Sequence, residues 1–274
     1  ASLRQSVAAH KLVQNAKGEI LFLSKECNSD GCIATVDISY PSMPLYLLFN
    51  PLLIKGMLIP IFDFSRMSVW KEDFAPHDAG IYPYCIGQYY AVKDKNEDAV
   101  LDIAVHDWQA AEVLPFFYCF PASYDLYDHN RQMPVEECGN MIIVSWLYYC
   151  VSGDLGLLKQ NFDLFGKWAG YLEKYGLIPS EQLCTDDFAG HSEKNANLAV
   201  KAIIGIDCFS HVSKVLGESA LAEKFHACAK QYARQWLSLY SGEKCTVLSM
   251  GQVGSFSLKY NMAIDVLLGG GLFG

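Results

Sequence analysis

The feature that most constrains this chain is an alternation in helix character that occurs twice. Residues 136–151 (EECGNMIIVSWLYYCV) are apolar nearly all round after the first turn, the pattern of a buried helix. Residues 155–175 are amphipathic, with Leu158, Phe162, Phe165, Trp168, Leu172 and Tyr175 on one face and Lys159, Asp163, Lys167 and Lys174 on the other. The order then repeats. Residues 197–215 are mostly apolar, and 219–240 are amphipathic through Leu221, Phe225, Tyr232 and Trp236. A buried helix followed by a half-buried one, twice over, predicts helical hairpins arranged around a centre, a mainly α fold of the (α/α) toroid type. Pro134 and Asn197, which open the two hairpins, stand 63 residues apart. Six such hairpins would need about 380 residues at that repeat. The 274 residues are therefore expected to form one domain over 1–274 that is an incomplete fragment of a larger ring.

The N-terminal third follows the scheme less closely. A short helix over 2–10 leads into HKLVQNAKGEILFLSKE, where Ala16-Lys17-Gly18 reads as the turn of a short β-hairpin. Residues 44–67 read as an apolar helix interrupted by Pro51 and Pro60. From 68 to 133 the chain is long, aromatic-rich and irregular, with a further helix pair expected over 99–119. Loops of that length inside a domain are usually functional.

Composition supports a large core: 51% of residues are hydrophobic, 19% are charged and the mean hydropathy is +0.13. The apolar run from Met141 to Val151 is far shorter than the roughly 20 residues a membrane-spanning helix needs. A formal net charge of -9 argues against a nucleic-acid or anionic-membrane surface. The ten cysteines form no CxxC pair and no HExxH occurs, so no Cys/His metal site is expected. Several lie inside apolar stretches, Cys150 in LYYCV and Cys208 in GIDCF, and read as buried free thiols. Only Cys27 and Cys32, around SDG, look loop-placed enough to pair.

Acidic residues gather at the starts of the apolar helices: Asp37 before the helix at 44, Glu136 and Glu137 behind Pro134, Asp186 and Asp187 before the helix at 197. If those helices run parallel, their N-terminal ends and these carboxylates share one rim. His77 and Asp78, after the helix at 44, would lie towards the other end unless the long loop folds back. Paired carboxyls across a cleft supply the acid and base of a hydrolysis. Adjacent helical residues point about 100° apart, so only one of Glu136 and Glu137 faces a cavity squarely while the other caps or braces. Helix capping is nonetheless the commonest role for an acid in such a place, a local hydrogen-bonded pair the commonest for His77-Asp78, and core packing the commonest for the aromatics of 82–124. Ser68-x-x-Lys71 matches a serine-nucleophile pattern with nothing else to support it.

Taken together, NSDGCIATVDISYPSMPLYLLFNP, APHDAGIYP, MPVEECGNM, CTDDFAG followed by NANLAVKAIIGI, and KYNMAIDVLLG resemble the fungal and bacterial glutaminase A family, whose central domain is similar to six-hairpin glycosidases. The resemblance implies a toroid flanked by a β-rich domain and further hairpins, a secreted or periplasmic protein, and hydrolysis of the L-glutamine side-chain amide to glutamate and ammonia. This chain departs from the family pattern at Cys138 and Cys184, where serines are expected, and at Ile86-Gly87-Gln88, where TGH is expected.

The expected site is thus a carboxylate-lined pocket at one rim. Glu137 would be the base or braced carboxylate, Glu136 its neighbour, and Asp186 or Asp187 the opposing group. Asp37, His77, Asp78, Asn140 and Tyr82 would position a small-molecule substrate. A glycoside hydrolase using the same pair is the alternative, compatible with a carboxyl separation of about 5–10 Å. A non-catalytic carbohydrate-binding scaffold would instead consume every carboxylate in caps and salt bridges. No cofactor is expected; a calcium ion on the acidic loops is conceivable, although no EF-hand spacing occurs.

Overall fold

A computed structural model describes residues 2–26, 31–93, 122–185 and 190–274. Helix α1 (Ser2–Ala8) leads into an antiparallel hairpin of β1 (His10–Gln14) and β2 (Ile20–Ser24), with His10 opposite Ser24 and Gln14 opposite Ile20. Asn15 folds its side-chain oxygen onto the amides of Lys17 and Glu19, and Gly18 supplies the positive φ of 81° that closes the turn. The short strand β3 (Cys32–Ile33) precedes α2 (Val36–Phe49) and α3 (Pro51–Ser65), and pairs with β4 (Gly80–Ile81). Then follow α4 (Pro134–Ser152), α5 (Leu155–Gln160), α6 (Phe162–Tyr175), α7 (Ala196–Val215), α8 (Ser219–Leu239) and α9 (Met262–Leu268). The fold is mainly helical with two small two-stranded sheets, as the helix alternation predicts.

Three features of the helices differ from those read from the sequence. The apolar stretch at 44–67 is interrupted at Pro51 as expected, whereas Pro60 lies inside α3 without ending it. The break falls at Asn50, whose side chain caps α3 by accepting from the Leu52 amide at 3.2 Å, with Pro51 as the first residue of that helix. Helix α2 begins eight residues earlier than expected and carries Pro41 and Pro44 inside it. Its start is fixed by tertiary pairing, the Val36 amide donating to the His77 carbonyl at 2.8 Å, and this outweighs the two hydrogen bonds the prolines remove. The amphipathic stretch at 155–175 divides at Asn161 into α5 and α6, the former capped by Asp154 on the Gly156 amide.

Helices α4 and α7 are buried on nearly every side and pack against each other, with α6 and α8 as their amphipathic partners. Leu164, Phe165, Trp168 and Leu172 of α6 are buried, whereas Tyr175 is exposed. Gly205 of α7 allows this closeness: a Cβ there would stand 3.3 Å from the Cα of Gly139 on α4 and 2.9 Å from Leu172. The Trp236 indole donates to the Ala196 carbonyl and the Tyr240 hydroxyl to the Leu177 carbonyl, which ties the end of α8 to the start of α7 and to the segment just after α6. The starts of α2, α4 and α7 converge through the bonds described next. The expected helix pair at 99–119 and the Cys27–Cys32 pairing lie outside the described residues, although Cys32 itself is buried. Among the described residues no helix is long and apolar enough to cross a membrane.

Candidate active site

Glu136 and Glu137 stand in the first turn of α4 behind Pro134, and both are 1% exposed. The Gln182 carbonyl oxygen caps that turn by accepting from the amides of Val135 (3.1 Å) and Glu136 (3.4 Å). The two acids then part. Glu136 turns toward α7 and forms a short, fully buried ion pair with Lys201, supported by the Thr185 hydroxyl and by the Asn140 amide nitrogen at 3.2 Å. The Lys201 ammonium also lies 4.0 Å from the centre of the Tyr40 ring, whose hydroxyl donates to Asn261 at 2.8 Å; Asn261 donates in turn to the Asn197 carbonyl. These bonds join α2, α4 and α7 at one end.

Glu137 turns the other way. One carboxylate oxygen accepts from Asn140 at 3.1 Å, while the other, Oε1, is buried with no hydrogen-bond partner among the described residues. Burial, then the charge of Asp37, pushes its carboxyl well above the usual carboxylate range; Glu136 adds to this, and His77 and Asn140 oppose it. One donor atom each from Asp37, His77 and Glu137 lies within 4.8 Å of the other two.

His77 was expected at the far end of its helix. The structure corrects this, because the loop folds back: β4 pairs with β3, and the Ala79 amide donates to the Ile33 carbonyl at 3.0 Å. The ring is fixed on several sides. Nδ1 meets Asp78 Oδ2 at 3.0 Å, Tyr90 stacks on the ring at 4.1 Å, and the backbone amide donates to the Gln88 side chain at 2.7 Å. Nε2 faces Asp37 Oδ1 at 3.9 Å. Burial disfavours the charged ring, but the Asp78 hydrogen bond and the charges of Asp37, Glu137 and Asp78 outweigh it, raising the imidazole to about 10. Asp78 is a brace: its oxygens accept from the backbone amides of Gly80 (2.9 Å), Tyr89 (2.8 Å) and Tyr90 (3.0 Å).

The remaining expected residues are placed differently. Asp37 is in the first turn of α2 rather than ahead of it, and its side chain, 18% exposed, is the most open of the three. The Tyr82 ring faces the ammonium groups of Lys25 (4.5 Å) and Lys11 (5.8 Å), with no described contact to the His77 group. Asp186 and Asp187 lie outside the described residues. Cys138 is buried, its sulfur accepts from the Ala75 amide at 3.4 Å, and burial pushes the thiol far up, so it is no nucleophile. Lys71 is engaged with the Tyr124 carbonyl at 2.9 Å.

Sequence reading missed Lys201, Gln182, Thr185 and Tyr90. Only Lys201 carried a signal, as one charge inside the apolar run NLAVKAIIGI. A cleft of about 1210 Å³ runs past the start of α4, lined by Lys71, Phe74, Gln132, Pro134, Tyr171 and His191 among others. None of Asp37, His77 and Glu137 lines it. One link between them is Gln132 of the cleft wall, which accepts at 3.1 Å from Gln88, the residue that holds the His77 amide. The buried cluster is the stronger candidate, because its groups converge and the His77 ring and the Glu137 carboxyl are both shifted upward.

Comparison with known proteins agrees with the fold. The family model for the glutaminase A six helical-hairpin domain matches residues 1–274. The chain belongs to that family. It is 30% identical over 273 residues to "Glutaminase A" of Aspergillus oryzae, covering 98% of this chain and 34% of that protein. It is 26% identical over 290 residues to a relative named a probable glutaminase from Arthroderma benhamiae, covering 97% and 33%. The chain thus spans about a third of the length of the curated relatives it matches.

Proposed function

We propose that this family member is part of a glutaminase-type hydrolase that converts the side-chain amide of L-glutamine to glutamate and ammonia. One observation carries the reading: Asp37 and Glu137, from the starts of two different helices, meet around a fixed imidazole in a site otherwise closed to solvent. The names of the two fungal relatives agree with it. Amide hydrolysis needs a proton taken from water and one delivered to the departing nitrogen, and two carboxyls with a histidine suffice for both transfers. Glu136 does not share that work, since its charge is consumed by Lys201. A binding scaffold would leave no acid unspent, whereas Glu137 keeps one buried oxygen without a partner. A glycosidase using Asp37 and Glu137 is the second reading: one oxygen of each carboxylate lies within 4.8 Å of the other, a spacing compatible with the roughly 5–5.5 Å between the carboxyl groups of a retaining pair. The secreted or periplasmic placement implied by the family resemblance belongs to the same reading.

The test uses the full-length protein, with ammonia release from L-glutamine measured beside reducing-sugar release from a glycan panel, each with a Glu137→Gln control. Ammonia release that falls at least 100-fold in the variant supports the reading. Sugar release that depends on Glu137, or silence in both assays, overturns it.

A further inference from the structure

We propose that Asp37, His77 Nε2 and Glu137 form a binding site for one first-row divalent cation of the Zn²⁺ or Mn²⁺ class. This goes beyond the hydrolase reading, which needs no metal. Four features of the site support it.

The first is the way His77 is held. A metal-ligating histidine characteristically donates its other ring N–H to a carboxylate, which fixes the tautomer and aims the lone pair. Here Asp78 takes Nδ1, three backbone amides clamp Asp78, and Nε2 is left facing Asp37. The second is Glu137. It is 1% exposed, its Oε1 has no hydrogen-bond partner among the described residues, and Asn140 orients the other oxygen as a supporting group does for a metal-bound carboxylate.

The third is distance. Donors about 2.1 Å from a tetrahedral zinc stand roughly 3.4 Å from one another. His77 Nε2 and Asp37 Oδ1 are 3.9 Å apart, and all three donor atoms lie within 4.8 Å, so side-chain rotations of well under 1 Å per donor would close the set. The fourth is charge. Asp37, Glu137 and Asp78 surround a single imidazole, and among the described residues no lysine or arginine pairs with Glu137 or Asp78. Such a group holds positive charge, as protons or as a cation in their place.

The donor mix selects the ion. An imidazole nitrogen with two carboxylates suits zinc or manganese, whereas calcium takes six to eight oxygens. A second grouping, Cys32 with His77 and Asp78, shares the ring but draws on Asp78, whose oxygens are already occupied by the backbone.

Full-length protein, stripped with a chelator, would be titrated with ZnCl₂, MnCl₂ and CaCl₂ by calorimetry, and its metal content measured after gel filtration. The expected result is one equivalent of Zn²⁺ or Mn²⁺, with Ca²⁺ weaker. Glu137→Gln and Asp37→Asn should each weaken it at least tenfold, and Asp78→Asn about 10–100-fold. Asp37 is partly open to solvent, so its variant keeps the test valid should the buried Glu137→Gln fail to fold. Asp207→Asn, which removes the other His-Asp-His group on α7 and α8, should change nothing. Failure to bind stoichiometric Zn²⁺ or Mn²⁺, tighter Ca²⁺, binding that survives both Asp37→Asn and Glu137→Gln, or binding lost in Asp207→Asn would each overturn the proposal. Metal retention is scored without substrate, so ammonia release by the stripped protein bears on the hydrolase reading alone.

Discussion

Replacing Lys201 by methionine tests whether the convergence of three helix starts rests on the buried ion pair. Methionine keeps most of the stem that packs against Gly139 of α4 and the Tyr40 ring, so the change is chiefly electrostatic. It leaves Glu136, 1% exposed, with the Thr185 hydroxyl and the Asn140 amide as its donors among the described residues. Removing one partner of a buried pair costs about 3–5 kcal/mol, and the two surviving hydrogen bonds place this case near 3. For a domain of this size that is a fall in Tm of roughly 6 °C. Scanning calorimetry of the full-length protein at pH 7 would measure it. Because the penalty is an orphaned charge and not lost packing, Glu136→Gln/Lys201→Met should recover at least half of the loss. A single variant within about 1 °C of the wild type, or a double variant less stable than the single, would refute the reasoning.

Further expectations concern the neighbouring elements. Asp207, buried on α7, is worked upward by burial, but hydrogen bonds from His211 (3.2 Å) and His226 (2.7 Å) more than offset this and hold its carboxyl below the ordinary range. A lowered carboxyl stabilises fully above its unfolded value near 4 and loses that contribution as pH falls from there through the folded value, so Asp207→Asn should cost about 2 kcal/mol at pH 7 and progressively less as the pH drops below about 4, by denaturant titration. Gly80→Ala would place a Cβ 2.1 Å from the Tyr84 carbonyl at a φ of 151°, and should lower both stability and activity by displacing the Asp78 clamp. Gly139→Ala meets Cγ of the buried, ion-paired Lys201 at 2.7 Å, so that stem must shift, and should cost about 1–3 kcal/mol. Asp78→Asn should cut kcat by roughly 10–100-fold with a smaller change in KM, since Asp78 orients His77 and has no solvent exposure.

Which features were legible follows from where their information lies. Helices α4 and α7 could be read because a helix buried all round must be apolar all round, and α6 and α8 because half-burial leaves a stripe. The start of α2 could not, because its first amide is held by the His77 carbonyl, a partner 41 residues away, while Pro41 and Pro44 point locally against a helix. The fold-back that delivers His77 rests on β3 and β4, two residues each, too short to show any alternation.

The site itself was half legible for a related reason. Carboxylates at helix starts are visible in sequence, but a helix start is as good a cap as an active site, and only the partner decides between the two. At α4 the partner is Lys201: it draws Glu136 toward α7, and the rotation between neighbouring helical residues then sends Glu137 to the other side, toward Asp37 and His77. One buried lysine 64 residues downstream thus determines which of two adjacent glutamates can act. The Lys201→Met variant should therefore disturb Glu137 through Glu136: with its partner gone, Glu136 competes for the Asn140 amide that both acids share, and activity should fall further than the stability loss alone accounts for.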